Sequence, residues 1–162
     1  MTSDRTSHIR VTYSDGGVEI TSVYAVTEEV SRELDRRTQK PTGRDLQAWL
    51  ETKGCRLDSS GGPAFVRRHK TGETEEYYYR DGKPHREDGA AAVWRFADGS
   101  VIEEYYRDGK LHREGGPAVV KRFADGSVIE EYYRDGELHR ADGTAFVWRD
   151  PDGSTEENIL SR

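Results

Sequence analysis

Three histidines recur at one fixed interval, His85, His112 and His139, each followed by an arginine. An imidazole repeated at fixed spacing is first a candidate metal ligand or proton carrier. Strands lie about 4.8 Å apart, so equivalent residues two strands apart are separated by roughly 9–10 Å. Metal–nitrogen bonds of about 2.1 Å require donor atoms within roughly 4 Å of one another. The three cannot share one ion. A role served once in every unit, such as His and Arg packing on a Tyr, is expected instead. The paired acids Glu103-Glu104 and Glu130-Glu131 sit where successive side chains point to opposite faces, so they diverge rather than converge as an acid–base pair must. Cross-strand pairing with Lys121 and the arginines is their expected use. Cys55 is the lone cysteine, with no His or Asp motif beside it. The chain is therefore expected to be no enzyme and to hold no cofactor or metal.

Binding chemistry is better represented. Trp94 and Trp148 occupy one place in the repeat, where two other copies have Arg67 and Lys121. A position that accepts either a cation or an aromatic faces solvent, and a pair of exposed tryptophans there is an expected contact hot spot. Tyr105, Tyr132, Arg107, Arg134, Glu103 and Glu130 recur around it and complete the candidate partner-binding set. Two other uses can be drawn from the same residues. Tyr and Arg on a sheet can stack single-stranded bases, and a ladder of acids can imitate phosphates. A net charge of −6, with both signs interspersed, argues against affinity for phosphate backbones, which needs a basic face.

These residues are carried by a tandem repeat. Tyr-Tyr-Arg-Asp-Gly occurs three times and sets Arg80, Arg107 and Arg134 at the histidine interval; Gly62, Gly89, Gly116 and Gly143 keep it too, as do Gly72, Gly99, Gly126 and Gly153. One unit runs from Asp108 to Arg134 and contains two Asp-Gly corners, Asp108-Gly109 and Asp125-Gly126. Asp-Gly between β-branched and aromatic runs is a hairpin signal, because Gly takes positive φ freely and Asp tolerates it. Two corners per unit predict two strands per unit, joined as a meander, with a bend or bulge at Gly116-Pro117 in the longer strand. The register stays open. A two-residue turn at Asp125-Gly126 sets Lys121 opposite Glu130, and a three-residue bulged turn shifts the pairing by one. Tyr and Trp are expected to form the packed face. The units at the two ends diverge, as exposed edges demand, with Glu156 and Glu157 blunting the last.

Ahead of the array, 8–24 reads as a hairpin around Ser-Asp-Gly-Gly, and helices are expected over about 28–38 and 43–53. Thr27 opens the first, and Thr42-Gly-Arg-Asp45 resembles a capping box for the second. The expected architecture is mainly β: an elongated antiparallel meander sheet of 27-residue hairpin repeats over 53–162, with a small ββαα cap over 1–52.

Only 33% of residues are hydrophobic, yet nine Tyr, three Trp and four Phe set the chain apart from disordered polymers, which are poor in aromatics. No apolar run is long enough to span a bilayer, no signal peptide follows the first residues, and one cysteine fits a reducing compartment. A cytoplasmic location without membrane contact is expected. The unit Tyr105-Tyr-Arg-Asp-Gly-Lys-Leu-His-Arg-Glu-Gly-Gly-Pro-Ala118 resembles the MORN-like hairpin repeats, in a variant found in bacterial, phage and large-virus proteins. The likeness covers about two thirds of the chain. Ordinary MORN units are shorter, with a different Gly pattern and no His-Arg pair. The resemblance implies an elongated sheet acting as a non-catalytic scaffold for a protein partner, in a setting such as a phage or mobile-element inhibitor of a host defence complex, in the manner of an anti-CRISPR. Nucleic-acid binding by the Tyr/Arg face is the alternative, and a long sheet edge could pair two copies into a homodimer.

Overall fold

The computed structural model describes residues 6–157. The chain opens with β1 (Ser7–Asp15), β2 (Val18–Val26), α1 (Glu28–Asp35) and α2 (Gly43–Thr52), followed by the short β3 (Arg56–Leu57). The array then gives β4 (Phe65–His69), β5 (Thr74–Tyr77), β6 (Tyr79–Arg80), β7 (Lys83–Pro84), β8 (Ala92–Arg95) and β9 (Val101–Glu104). It continues through β10 (Tyr106–Arg107), β11 (Lys110–Leu111), β12 (Val119–Arg122) and β13 (Val128–Glu131). It closes with β14 (Tyr133–Arg134), β15 (Glu137–Leu138), β16 (Phe146–Arg149) and β17 (Thr155–Glu157). One antiparallel sheet runs β1-β2-β4-β5-β8-β9-β12-β13-β16-β17, with β3 beside β2; the pairs β6-β7, β10-β11 and β14-β15 stand off it as separate small hairpins.

Each unit thus has four strands rather than the two expected. Gly116-Pro117 interrupts what the sequence suggested was one long strand. The chain leaves β11, crosses over 112–117 and re-enters the sheet as β12, and the same break occurs at Gly89-Ala90 and Gly143-Thr144, where no proline stands.

The two corners of a unit fold differently, and the residue after Gly tells them apart. At Asp108-Gly109 both residues have positive φ, 50° and 85°, the type I′ geometry of a two-residue hairpin. At Asp125-Gly126 only Gly is left-handed, at 92°. Here Phe123 N–H donates to the Ser127 carbonyl and Gly126 N–H to that of Phe123, closing a three-residue bulged loop. Ser127 is responsible: its N–H and hydroxyl both donate to the Asp125 carboxylate, at 2.8 and 2.7 Å, which holds Asp125 right-handed. Lys110 has no such group. Of the two registers left open, the structure adopts the shifted one, with Lys121 opposite Ile129, Arg122 opposite Val128 and Val120 opposite Glu130.

The first hairpin turns on Gly16-Gly17, both at positive φ, and continues the sheet because β2 also pairs with β4. Val11, Tyr24, Val26 and Leu50 form its core, with Leu46, Trp49 and Cys55 packed against them. Thr27 caps α1 through Val30 N–H. Both helices are shorter than expected: Arg36 already caps α1, and α2 stops at Thr52. Thr42 stands at the N-cap of α2 without a side-chain bond, so the expected capping box is not made. No helix among the described residues is long and apolar enough to cross a membrane.

The array's buried residues are small. Ala64, Val66, Ala90, Ala91, Ala92, Val93, Ala118, Val119, Val120, Ile129 and Val147 are buried, and Tyr24 is the one buried residue of the Tyr, Trp and Phe types among those described. This corrects the expectation that Tyr and Trp form the packed face. Ala118 shows why. Its N–H is given to the Glu131 carbonyl and its carbonyl receives Tyr105 N–H, so it is clasped on both sides where the chain bends back into the sheet, and it is fully buried. Ala118→Leu should overpack this point and cost about 1–3 kcal/mol, read as a lower urea midpoint.

Candidate binding surface

Alternation along the strands gives the main sheet two different faces. On one, the pairing sets Val66, Glu76, Val93, Glu103, Val120, Glu130 and Val147 in a row across the strands. The glutamates are drawn into diagonal ion pairs: Arg122 with Glu103, Arg149 with Glu130 at 2.9 Å, and Arg95 with Glu76 at 3.8 Å. Exposed pairs of this kind contribute little to stability. They do occupy both partners, which leaves this face neutral row by row.

The other face carries the aromatic groups. Its central row reads Arg67, Glu75, Trp94, Ile102, Lys121, Ile129, Trp148 and Glu156 from strand to strand. Phe96 and Phe123, at the bulged corners, are the large hydrophobic residues left most exposed, at 41% and 38%. Trp94 packs edge-on to Tyr77 and Trp148 stacks on Phe123 at 6.3 Å. The Trp148 indole donates to Asp150. Lys121 is tied to Glu131 at 2.8 Å and Arg67 to Glu75 at 3.1 Å. Two apolar pairs, Trp94-Ile102 and Ile129-Trp148, thus flank Lys121, whose charge is neutralised as is that of Arg67 at the end of the row. Tyr106 and Tyr133 give their hydroxyls to Glu104 and Glu131 on this side. Burial, aided by these carboxylates, pushes both phenols above the usual 10.0.

The small hairpins stack as a column, each fastened to the next by the same contacts. The N–H of Asp108 is accepted by His85 Nδ1 at 3.0 Å, and that of Asp135 by His112 Nδ1 at 3.1 Å. Asp58 stands in the histidine's place one unit earlier and accepts from Asp81 N–H at 3.2 Å; it also meets His8. Beside each clasp, Gly82, Gly109 and Gly136 donate to the carbonyls of Leu57, Pro84 and Leu111. Asp108 has its carboxylate 3.0 Å from Arg80 Nη2 and 3.1 Å from His85 Nδ1. Accepting an amide at Nδ1 puts the ring proton on Nε2, which in His85 and His112 is buried without a hydrogen-bond partner, 3.7 Å from Glu87 and Glu114. Arg86, Arg113 and Arg140 lie over the rings of Tyr78, Tyr105 and Tyr132 at 3.9, 3.8 and 4.1 Å, each cation–π contact contributing about 0.5–2 kcal/mol. Between the first two units Arg80, Arg86, Arg107 and Arg113 line a hollow of about 610 Å³.

The residues singled out from sequence do not converge on one patch. Trp94 and Trp148 share the aromatic face but are half-buried rather than exposed as expected, and four strand spacings, about 19 Å, separate them, with Lys121 between. They are not a contact pair. Glu103 and Glu130 lie on the opposite face. Tyr105, Tyr132, Arg107 and Arg134 belong to the hairpin column, where Arg107 meets Glu114 at 3.1 Å. The expectation that Arg packs on Tyr in every unit describes Arg86, Arg113 and Arg140; the histidine serves the next unit's Asp instead. Phe96, Phe123 and Ile102 were missed, although their recurrence beside the Trp position was legible.

If the clasp holds units together, equivalent histidines should respond unequally. His112→Ala leaves Asp135 N–H without its acceptor and should cost about 1–3 kcal/mol, whereas His139→Ala, exposed, should stay within about 0.5 kcal/mol; urea unfolding compares them. Hydrogen bonds from Arg80 hold Asp108 below its ordinary 3.8, and those from Arg107 hold Glu114 below 4.5. Such carboxylates add stability that is complete above those ordinary values and is lost as pH falls through the lowered ones. Tm should therefore drop below pH 4.5, and by less in Arg107→Gln; melting scans across that range test it. No family model and no curated protein matches this chain.

Proposed function

We propose that the protein is a non-catalytic binding module of the MORN-like hairpin-repeat kind, engaging a protein partner through the aromatic face of its sheet. One observation carries this reading: Trp94, Ile102, Lys121, Ile129 and Trp148 follow one another across five strands, with Phe96 and Phe123 exposed above them. Aromatic and apolar side chains around a lysine whose charge is already paired form a surface of the kind protein interfaces use. Tryptophan on an ordered sheet supplies large contact area at small entropic cost. Charges are paired on both faces, so the exposed Phe96 and Phe123 are what favour the aromatic side as the docking side.

Base stacking is disfavoured by the same geometry. The rings of Tyr78, Tyr105 and Tyr132 already carry arginines, so those π-faces are occupied, and a net charge of −6 repels phosphate. Inhibition of a host defence complex by a phage or mobile-element protein is the setting proposed for this surface, and it rests on the resemblance of the repeat alone.

The test is capture of partner proteins from the native host by the full chain and by variants. Trp94→Ala with Trp148→Ala should weaken capture at least about thirtyfold, the effect of losing roughly 2 kcal/mol at a hot spot, with the circular dichroism unchanged. Arg122→Ala with Arg149→Ala, on the other face, should bind as the wild type does. Equal binding by all three would overturn the reading, and a steep loss of binding with salt would point to phosphate contacts instead.

A further inference from the structure

Among the described residues, the hairpin column ends in a copy of its own binding site. Each small hairpin presents the same outward edge to the hairpin that follows it. Leu111 offers its carbonyl to Gly136 N–H, His112 its Nδ1 to Asp135 N–H, and Arg113 its N–H to the Tyr133 carbonyl at 3.4 Å. The preceding unit does the same with Pro84, His85 and Arg86 toward Gly109, Asp108 and Tyr106. The last hairpin, β14-β15, has this edge intact in Leu138, His139 and Arg140, and no hairpin among the described residues follows to cover it.

The charges at this end have changed accordingly. Arg80 holds two carboxylates, Glu87 and Asp108, and Arg107 holds Glu114. Arg134, their equivalent, has no carboxylate partner among the described residues, because Ala141 stands in the place of Glu87 and Glu114. His139 is exposed where His85 and His112 are buried. One period on from Asp135 the sequence has Arg162, so the repeat does not place another aspartate there. The hollow of about 420 Å³ that Arg134, His139 and Arg140 share with Arg113 and Glu114 is the counterpart of the one between the preceding two hairpins and lies on the inner side of β14-β15, leaving its outer edge separate.

We infer that the outer edge of β14-β15 is a binding site for an Asp-Gly β-turn carried by a partner protein. The ligand's chemistry is defined by what the chain itself places on the equivalent edges. A corner with Asp and Gly both at positive φ turns its two amides toward Leu138 carbonyl and His139 Nδ1. The carbonyl two residues before Asp meets Arg140 N–H, and the carboxylate falls to Arg134, as that of Asp108 does to Arg80. A second folded copy does not supply such a corner, since Asp81, Asp108 and Asp135 are each already held by the unit before them. This site is on the hairpin column, apart from the aromatic face, and it stands or falls separately from the reading above.

A cyclised, fluorescein-labelled peptide carrying Tyr-Tyr-Arg-Asp-Gly-Lys-Leu-His, the sequence of residues 105–112, is the probe, titrated against the full chain with anisotropy and the His139 ring resonances as readouts. Saturable binding with a shifted His139 signal is expected. Asp→Asn in the peptide keeps the type I′ corner but removes the charge, and should weaken binding about tenfold, as should Arg134→Gln or His139→Ala in the protein. Both protein positions are exposed, so the fold is retained. The Trp94→Ala, Trp148→Ala variant should bind the peptide as the wild type does. Absence of saturable binding, equal affinity for the Asp and Asn peptides, or indifference to both protein variants would overturn the inference. So would sedimentation showing that the chain alone associates through this edge.

Discussion

Everything in the array depends on one backbone conformation: an aspartate held at positive φ so that its amide points back to the preceding unit. Asp81, Asp108 and Asp135 are the described non-glycine residues with such a φ. Left-handed aspartate is tolerated but mildly unfavourable, and it recurs where an acceptor waits for the amide it exposes. The acceptor is Asp58 once and a histidine twice. Carboxylate and imidazole share little beyond a lone pair at similar reach, which identifies acceptance of the amide as the role common to the units.

Stability follows from this arrangement in a one-dimensional way. Each unit touches its neighbours through the sheet ladder and through the hairpin column, so the array behaves as a chain of nearest-neighbour interfaces. Neither layer has a thick core. Alanine and valine fill the sheet where it meets the column, and the aromatic rings serve as half-exposed plates covered by arginine or by other rings. This is how a chain with 33% hydrophobic residues folds at all. It replaces the bulk of a globular interior with repeated main-chain bonding and close contacts between small groups.

Much of this was legible in the sequence. The constant interval fixes the repeat, Asp-Gly marks the corners, and Gly-Pro marks the break. The difference between the two corners was not, because Asp108-Gly109 and Asp125-Gly126 look alike until the following residue is weighed: serine caps the aspartate in one, and lysine cannot in the other. The partner of the histidine was hidden for a different reason. It belongs to the next unit, and no local pattern ties the two. The aromatic face was half visible: the Trp position was found by its tolerance of cations, while Phe96 and Phe123 were masked by their place beside a turn.

Tolerance of that kind itself points to the face's role. Positions that build the array, such as the glycine of each corner, the alanine after the bend and the tyrosine beneath arginine, scarcely vary between its units. The central row of the aromatic face holds Arg67, Trp94, Lys121 and Trp148 at one repeat position, so the fold makes no demand there. A side chain freed from folding can be shaped by what it touches. The two tryptophans sit about 19 Å apart by strand spacing on a sheet whose opposite face is neutralised by ion pairs, and a long complementary surface is what could meet both at once.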